Sequence, residues 1–165
     1  MITDGTSGIG LEPEKLFAAE GAQVVVTGTD RGRLDAAARD IGGEVFALRA
    51  DLRTLGETDS VFEEIRHRYG RLDILFANAG LGLAAPLEAV IEEHIYAQFV
   101  VNLKGGFFTA QKAAPLLRKW ASVVFTNPSS TGSALLGFQS WPPPRPRYDP
   151  WCGRSLRSWH RAAFA

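Results

Sequence analysis

The residues best suited to chemistry stand near the start of the chain, in Thr3-Asp4-Gly5-Thr6-Ser7-Gly8-Ile9-Gly10. Glycines at 5, 8 and 10 make a turn whose backbone can approach a ligand closely, and an apolar helix pattern follows it. A helix start behind such a turn presents N–H groups and the positive end of the helix dipole, which is the chemistry of phosphate binding. Asn78-Ala79-Gly80 and Pro128-Ser129-Ser130-Thr131-Gly132 follow apolar runs and place small and polar residues in loops. His94 and His160 have no acid or cysteine partner at metal spacing, and His67 sits on a charged, solvated helix face between Arg66 and Arg68, so no metal site is predicted. Cys152 is the only cysteine and has no internal disulfide partner, which predicts a reducing compartment.

The elements that must position these residues alternate. A helix is predicted from Leu11 to Glu20, closed by Gly21, although Pro13 is awkward inside it. Val24-Val25-Val26 is a short β-branched run between glycines and predicts a buried strand. Asp30 caps a second helix carrying Leu34, Ala37, Ala38 and Ile41. Residues 44–49 predict a strand, and Val61, Phe62, Ile65 and Tyr69 mark a third helix ended by Gly70. Residues 72–77 are the next strand. A long helix is expected from Glu92 to Trp120, loosened by Gly105-Gly106 and Pro115, and a strand at 122–126. Strands alternating with helices predict an α/β fold: a Rossmann-like, doubly wound parallel sheet with helices on both faces.

Eighteen basic residues balance eighteen acidic ones, so no net field draws the chain to nucleic acid or an anionic membrane. With no signal-like start and no long apolar run, the expectation is a cytoplasmic protein. Composition breaks near Gln139: residues 141–165 hold five of the nine prolines, three of the four tryptophans and five arginines against one acid. The expected organisation is a dinucleotide-binding unit at 1–139 and an irregular Pro/Arg/Trp-rich tail at 140–165.

Residues 2–139 resemble the short-chain dehydrogenase/reductase family. Thr3, Gly8 and Gly10 match its glycine motif, Asp51 its adenine-side aspartate, and Asn78-Ala79-Gly80 its Asn-Ala-Gly motif. Asn102 matches the helix asparagine of the active site, and Ser129, three residues before Gly132, the catalytic serine. The resemblance implies an oxidoreductase passing hydride between a nicotinamide cofactor and a carbonyl or alcohol. Thr3, Thr6, Ser7, Gly8, Ile9 and Gly10 would cradle the pyrophosphate. Asp51 and Leu52 would hold the adenine, and Asn78, Ala79 and Gly80 would line the ribose. Asn102 would hold a water of the proton relay, and Ser129 would hydrogen-bond the reacting oxygen. The cofactor is NADP or NAD. Arg31 and Arg33 tilt the choice to NADP, since either could meet a 2′-phosphate. The resemblance also implies a homo-oligomer, formed through the 92–120 helix.

Three features depart from the family pattern. Only Met1 and Ile2 precede Thr3, so the first, central strand is expected to be missing. Asp4 replaces the first motif glycine; a carboxylate about 4 Å from a phosphate charge costs roughly 4 kcal/mol at an effective dielectric of 20, about a thousandfold in affinity. The family's Tyr-x-x-x-Lys is absent, since none of Tyr69, Tyr96 and Tyr148 has a lysine four residues on. That pair moves the proton, lysine lowering the tyrosine pKa from about 10. The catalytic helix is therefore expected to be missing too, leaving a chain truncated at both ends. Its tail is expected to be an unrelated, out-of-frame sequence, which the other reading frames of the coding DNA would reveal. The alternative to an enzyme is a non-catalytic nucleotide-binding or interaction module, or an inert product.

Overall fold

A computed structural model describes residues 1–126. Ser129, the loop around it, and the tail at 140–165 lie outside the described residues. The order is β1 (Ile2–Thr3), α1 (Gly8–Ala19), β2 (Val24–Gly28), α2 (Arg31–Ile41), β3 (Val45–Arg49), α3 (Leu55–Tyr69) and β4 (Leu72–Ala77). Then come α4 (Glu92–Gln98), a π-helical stretch (Phe99–Gly105), α5 (Gly106–Ala113) and β5 (Leu117–Phe125). The strands form one parallel sheet in the order β3-β2-β1-β4-β5. This is the doubly wound arrangement, with its reversal between β1 and β4.

β2 is buried along its whole length, as its β-branched run requires of a strand covered on both faces. α1 and α2 pack together on one side of the sheet, and α3 and α5 on the other. The larger core lies on the second side, where Val61, Phe62 and Ile65 of α3 meet Val25, Leu75, Met1 and Ala113. α2 starts as expected: the Asp30 carboxylate accepts from the Arg33 N–H at 2.8 Å.

Two expectations are corrected. The first strand is not missing. Ile2 pairs with Val26 on one side and Phe76 on the other, and Thr3 pairs with Thr27. The Met1 carbonyl accepts from the Phe76 N–H at 2.8 Å, and the Met1 amine donates to the Ile74 carbonyl at 2.9 Å. The two residues join ladders offered by β2 on one side and β4 on the other.

The 92–120 helix is not continuous. It passes through a π-helical stretch at Phe99–Gly105, and Pro115 falls in a closing 3-10 turn at Ala114–Leu116. The chain is already extended from Leu117. Leu117 pairs with Leu72 and Ser122 with Ile74, so the extra residues bulge around Trp120, whose φ is 72°. Arg118, inside the bulge, pairs with Asp73 of β4.

Candidate functional site

The glycine-rich turn opens at the carboxyl end of β1, beside the point where strand order reverses. Open α/β sheets bind their ligands at this point. Gly10 is required there by close approach: a Cβ would stand 2.6 Å from the Asp4 carbonyl oxygen and 2.7 Å from Asn78 Nδ2. Ser7 is the N-cap of α1 but makes no side-chain cap hydrogen bond. The first N–H groups of α1 therefore keep the capacity to meet an anion. Gly8 and Ile9 are exposed on this rim, and Thr6 packs its methyl against Gly28.

Thr3 ties the rim together. Its Oγ1 accepts from the backbone N–H groups of Asn78 at 2.9 Å and Ala79 at 2.8 Å. Asn78 Nδ2 donates to the Asp4 carbonyl at 3.1 Å, and its Oδ1 accepts from the Thr126 hydroxyl at 3.1 Å. The motif residues after β1 and β4 are thus one hydrogen-bonded unit.

Asn102 lies in the π-helical stretch, a local geometry often found at functional sites. Its side chain brackets the Leu81 backbone, accepting from the N–H at 2.7 Å and donating to the carbonyl at 2.9 Å. Both ends of the amide hold the loop that follows Gly80. Asn102→Ala is expected to cost about 1–2 kcal/mol by stripping that loop of its partners. Hydrogen exchange at Leu81 checks this, and unchanged protection would contradict it.

Asp51 stands apart from that unit, just past β3. Hydrogen bonds from Arg53 hold its carboxyl below the usual range, the two side chains meeting at 2.5 Å. Its backbone N–H donates to Glu57 Oε2 at 2.9 Å. Leu52 is buried in the core, and its carbonyl lies close against Gly105.

Asp4 occupies the left-handed region at φ 53°, where glycine fits without strain. Partial burial raises its pKa, and Arg33 opposes the rise. Arg33 makes no ion pair among the described residues, whereas Arg31 is committed to Asp35 at 3.1 Å. Asp30, the acid after β2, is spent as the α2 cap.

Sequence reasoning missed Glu14. It is 0% exposed beneath the turn, and neither carboxylate oxygen has a hydrogen-bond partner. A Cβ on Gly5 would overlap Glu14 Oε1. Burial pushes its pKa up to about 8, partly offset by the Met1 amine. The available signal was its place four residues after Gly10, on the face that the glycine presses toward the sheet. Among the described residues, no group of three His, Cys, Asp or Glu could hold a metal, and no helix is long and apolar enough to cross a membrane.

Sheet order, glycine turn and the Thr3–Asn78 bracket define a Rossmann-like dinucleotide-fold protein. The family model described as short chain dehydrogenase matches residues 1–141, and the chain belongs to that family of oxidoreductases. It is 38% identical over 132 residues to "Oxidoreductase asL5" of Sarocladium schorii, covering 79% of this chain and 53% of that one. It superposes with a TM-score of 0.72, at 29% identity, on the crystal structure of a short-chain dehydrogenase/reductase, "Glucose/ribitol dehydrogenase", from Brucella melitensis. That match covers 75% of this chain and 54% of the other. An actinorhodin polyketide ketoreductase crystallised with NADPH matches at TM-score 0.64 and 28% identity, covering 68% of this chain and 44% of that one. The chain thus spans about half the length of these relatives.

Proposed function

We propose that this chain binds a nicotinamide dinucleotide, NADP in preference to NAD, across the carboxyl ends of β1 and β4, and binds it without turnover. The observation that supports the reading is the single hydrogen-bonded rim joining Thr3, Asp4, Asn78 and Ala79 beside the open start of α1. Thr6 to Gly10 are the residues to hold the pyrophosphate; Asp51 and Leu52 lie toward the adenine, and Asn78 to Gly80 toward the ribose. Arg33 favours NADP because it has no ion-pair partner among the described residues, while the acid suited to a 2′-OH already caps α2. The bound dinucleotide would supply hydride chemistry for a carbonyl or alcohol, with Ser129 and Asn102 on the substrate side. Turnover is not expected, because no tyrosine in the sequence has a lysine four residues on.

Fluorescence titration with NADPH and NADH, beside a carbonyl substrate panel, tests this. Saturable binding with tighter NADPH and no turnover is the expected result. No binding of either dinucleotide, or turnover at an ordinary enzyme rate, overturns the proposal.

A second copy is the partner we propose for the 92–107 face. Tyr96, Phe99, Leu103 and Phe107 are each 57–63% exposed along one groove. An apolar strip of this kind marks an interaction surface. Phe99→Glu is expected to shift the chain to monomer in light scattering; an unchanged mass would refute the assignment.

A further inference from the structure

Among the described residues Glu14 is the only fully buried acid, and it lies directly beneath the glycine turn. Its carboxyl fills the space that Gly5 leaves by having no side chain: a Cβ there would overlap Glu14 Oε1 and stand 2.8 Å from Val26 Cγ2. The Gly5 N–H is held from the β2 side, donating to the Thr27 carbonyl at 3.2 Å. Gly10 stands one helix turn before Glu14, and a Cβ on it would stand 2.9 Å from the Gly5 Cα. Gly5 thus touches both Gly10 and Glu14, so a change at the carboxyl reaches the turn. Neither Glu14 oxygen has a hydrogen-bond partner among the described residues, which suits a neutral carboxyl and not a carboxylate.

We infer, on the reading that this turn holds the pyrophosphate, that Glu14 is a positioning residue whose protonated carboxyl shapes the turn for a dinucleotide and whose ionisation weakens binding. Two effects act in one direction. A carboxylate without donors draws in water, and the space for that water lies under Gly5. Its charge also opposes the positive start of α1. One helix turn and one hydrogen bond separate Glu14 from a phosphate on that start, roughly 8 Å. At an effective dielectric of 20, a charge at that distance weakens binding of a phosphate charge about thirtyfold. Burial holds the carboxyl protonated up to about pH 8, so the change falls between about pH 7 and 9. β1 and β2 bring no ionisable side chain to it. The turn brings Asp4, with Arg33 of α2 in its field. Lys15 of α1 is paired with Glu12 at 3.2 Å and with Asp40 of α2 at 2.7 Å. Burial lowers the Met1 amine, which has Asp73 in its field, to about 6. It is therefore largely neutral over that range, as an amide in its place would be.

The test titrates the whole chain with NADPH at pH 7 and pH 9, native and as Glu14→Gln. The native chain is expected to bind roughly five- to tenfold more weakly at pH 9, while Glu14→Gln, which cannot ionise, binds at pH 9 as it binds at pH 7. Calorimetry at pH 8 in two buffers of different ionisation heat reads the proton directly. The native chain is expected to take up roughly half a proton on binding NADPH, and Glu14→Gln none. A merely structural role would shift affinity at both pH values together and move no proton. Native binding that is equal at the two pH values, parallel pH profiles for the two proteins, or no proton uptake by the native chain overturns the inference and leaves the dinucleotide reading standing. No NADPH binding by either protein at either pH overturns both. Should Glu14→Gln fail to fold, Glu14→Met, which also lacks the proton, takes its place.

Discussion

Replacing Glu14 with methionine is expected to stabilise the chain by about 3 kcal/mol at pH 7, raising its melting temperature by about 10 °C. The buried carboxyl keeps its proton in the folded chain up to about pH 8, from an ordinary value of 4.5. The unfolded chain gives that proton up from pH 4.5. Between the two values the folded state binds more protons, so stability falls as pH rises, by about 1.4 kcal/mol per pH unit. The Met1 amine works in the opposite sense. Burial lowers it from 8.0 to about 6, so between pH 6 and 8 the unfolded chain binds the extra proton and stability rises. The native protein should lose about 2 kcal/mol from pH 4.5 to 6 and then hold level to pH 8. Glu14→Gln, which cannot ionise, should be level to pH 6 and then gain about 2.7 kcal/mol by pH 8. Urea melts across this range distinguish the two profiles. Parallel curves for the native chain and Glu14→Gln would show that Glu14 does not titrate in the fold.

Why Glu14 escaped a reading of the sequence is instructive about α1. Its apolar residues suggest a stripe through Leu16, yet Leu16 is 68% exposed and Ile9 74%. The phase of the helix is set by Gly10, whose close approach to the Asp4 carbonyl turns positions 10 and 14 inward. A contact made by a missing side chain leaves no hydrophobic signal. β2 was legible for the opposite reason, since three β-branched residues between glycines have one natural home in a parallel sheet. The bulge at Trp120 was illegible because a helical stripe and a displaced strand share the same apolar residues until the partner strand is known. The rim motifs were legible by type and order. What they touch was not: Asn102 spends its amide on Leu81, and Asp51 spends its carboxylate on Arg53.

Asp4→Gly is expected to tighten dinucleotide binding about ten- to a hundredfold and to add about 1 kcal/mol of stability. The two effects have separate origins. The stability gain comes from the backbone: Asp4 is held at φ 53°, which an L-residue other than glycine adopts at a cost of about 1–2 kcal/mol. The affinity gain comes from charge, because a pyrophosphate at the start of α1 would meet a carboxylate from the same turn. The thousandfold penalty expected from the sequence is too large for this geometry. Asp4 is only partly buried and Arg33 lies within its field, so water and a counter-charge both screen it. Asp4→Asn separates the two contributions, since it removes the charge and keeps a side chain in the left-handed region. It should recover most of the affinity and little of the stability. Titrations at low and high salt check the electrostatic part, because the native penalty should shrink as salt rises while the Asp4→Gly affinity should not improve with it. If Asp4→Asn binds NADPH no better than the native chain, the dinucleotide phosphates do not lie at this turn, and the proposed site must be abandoned.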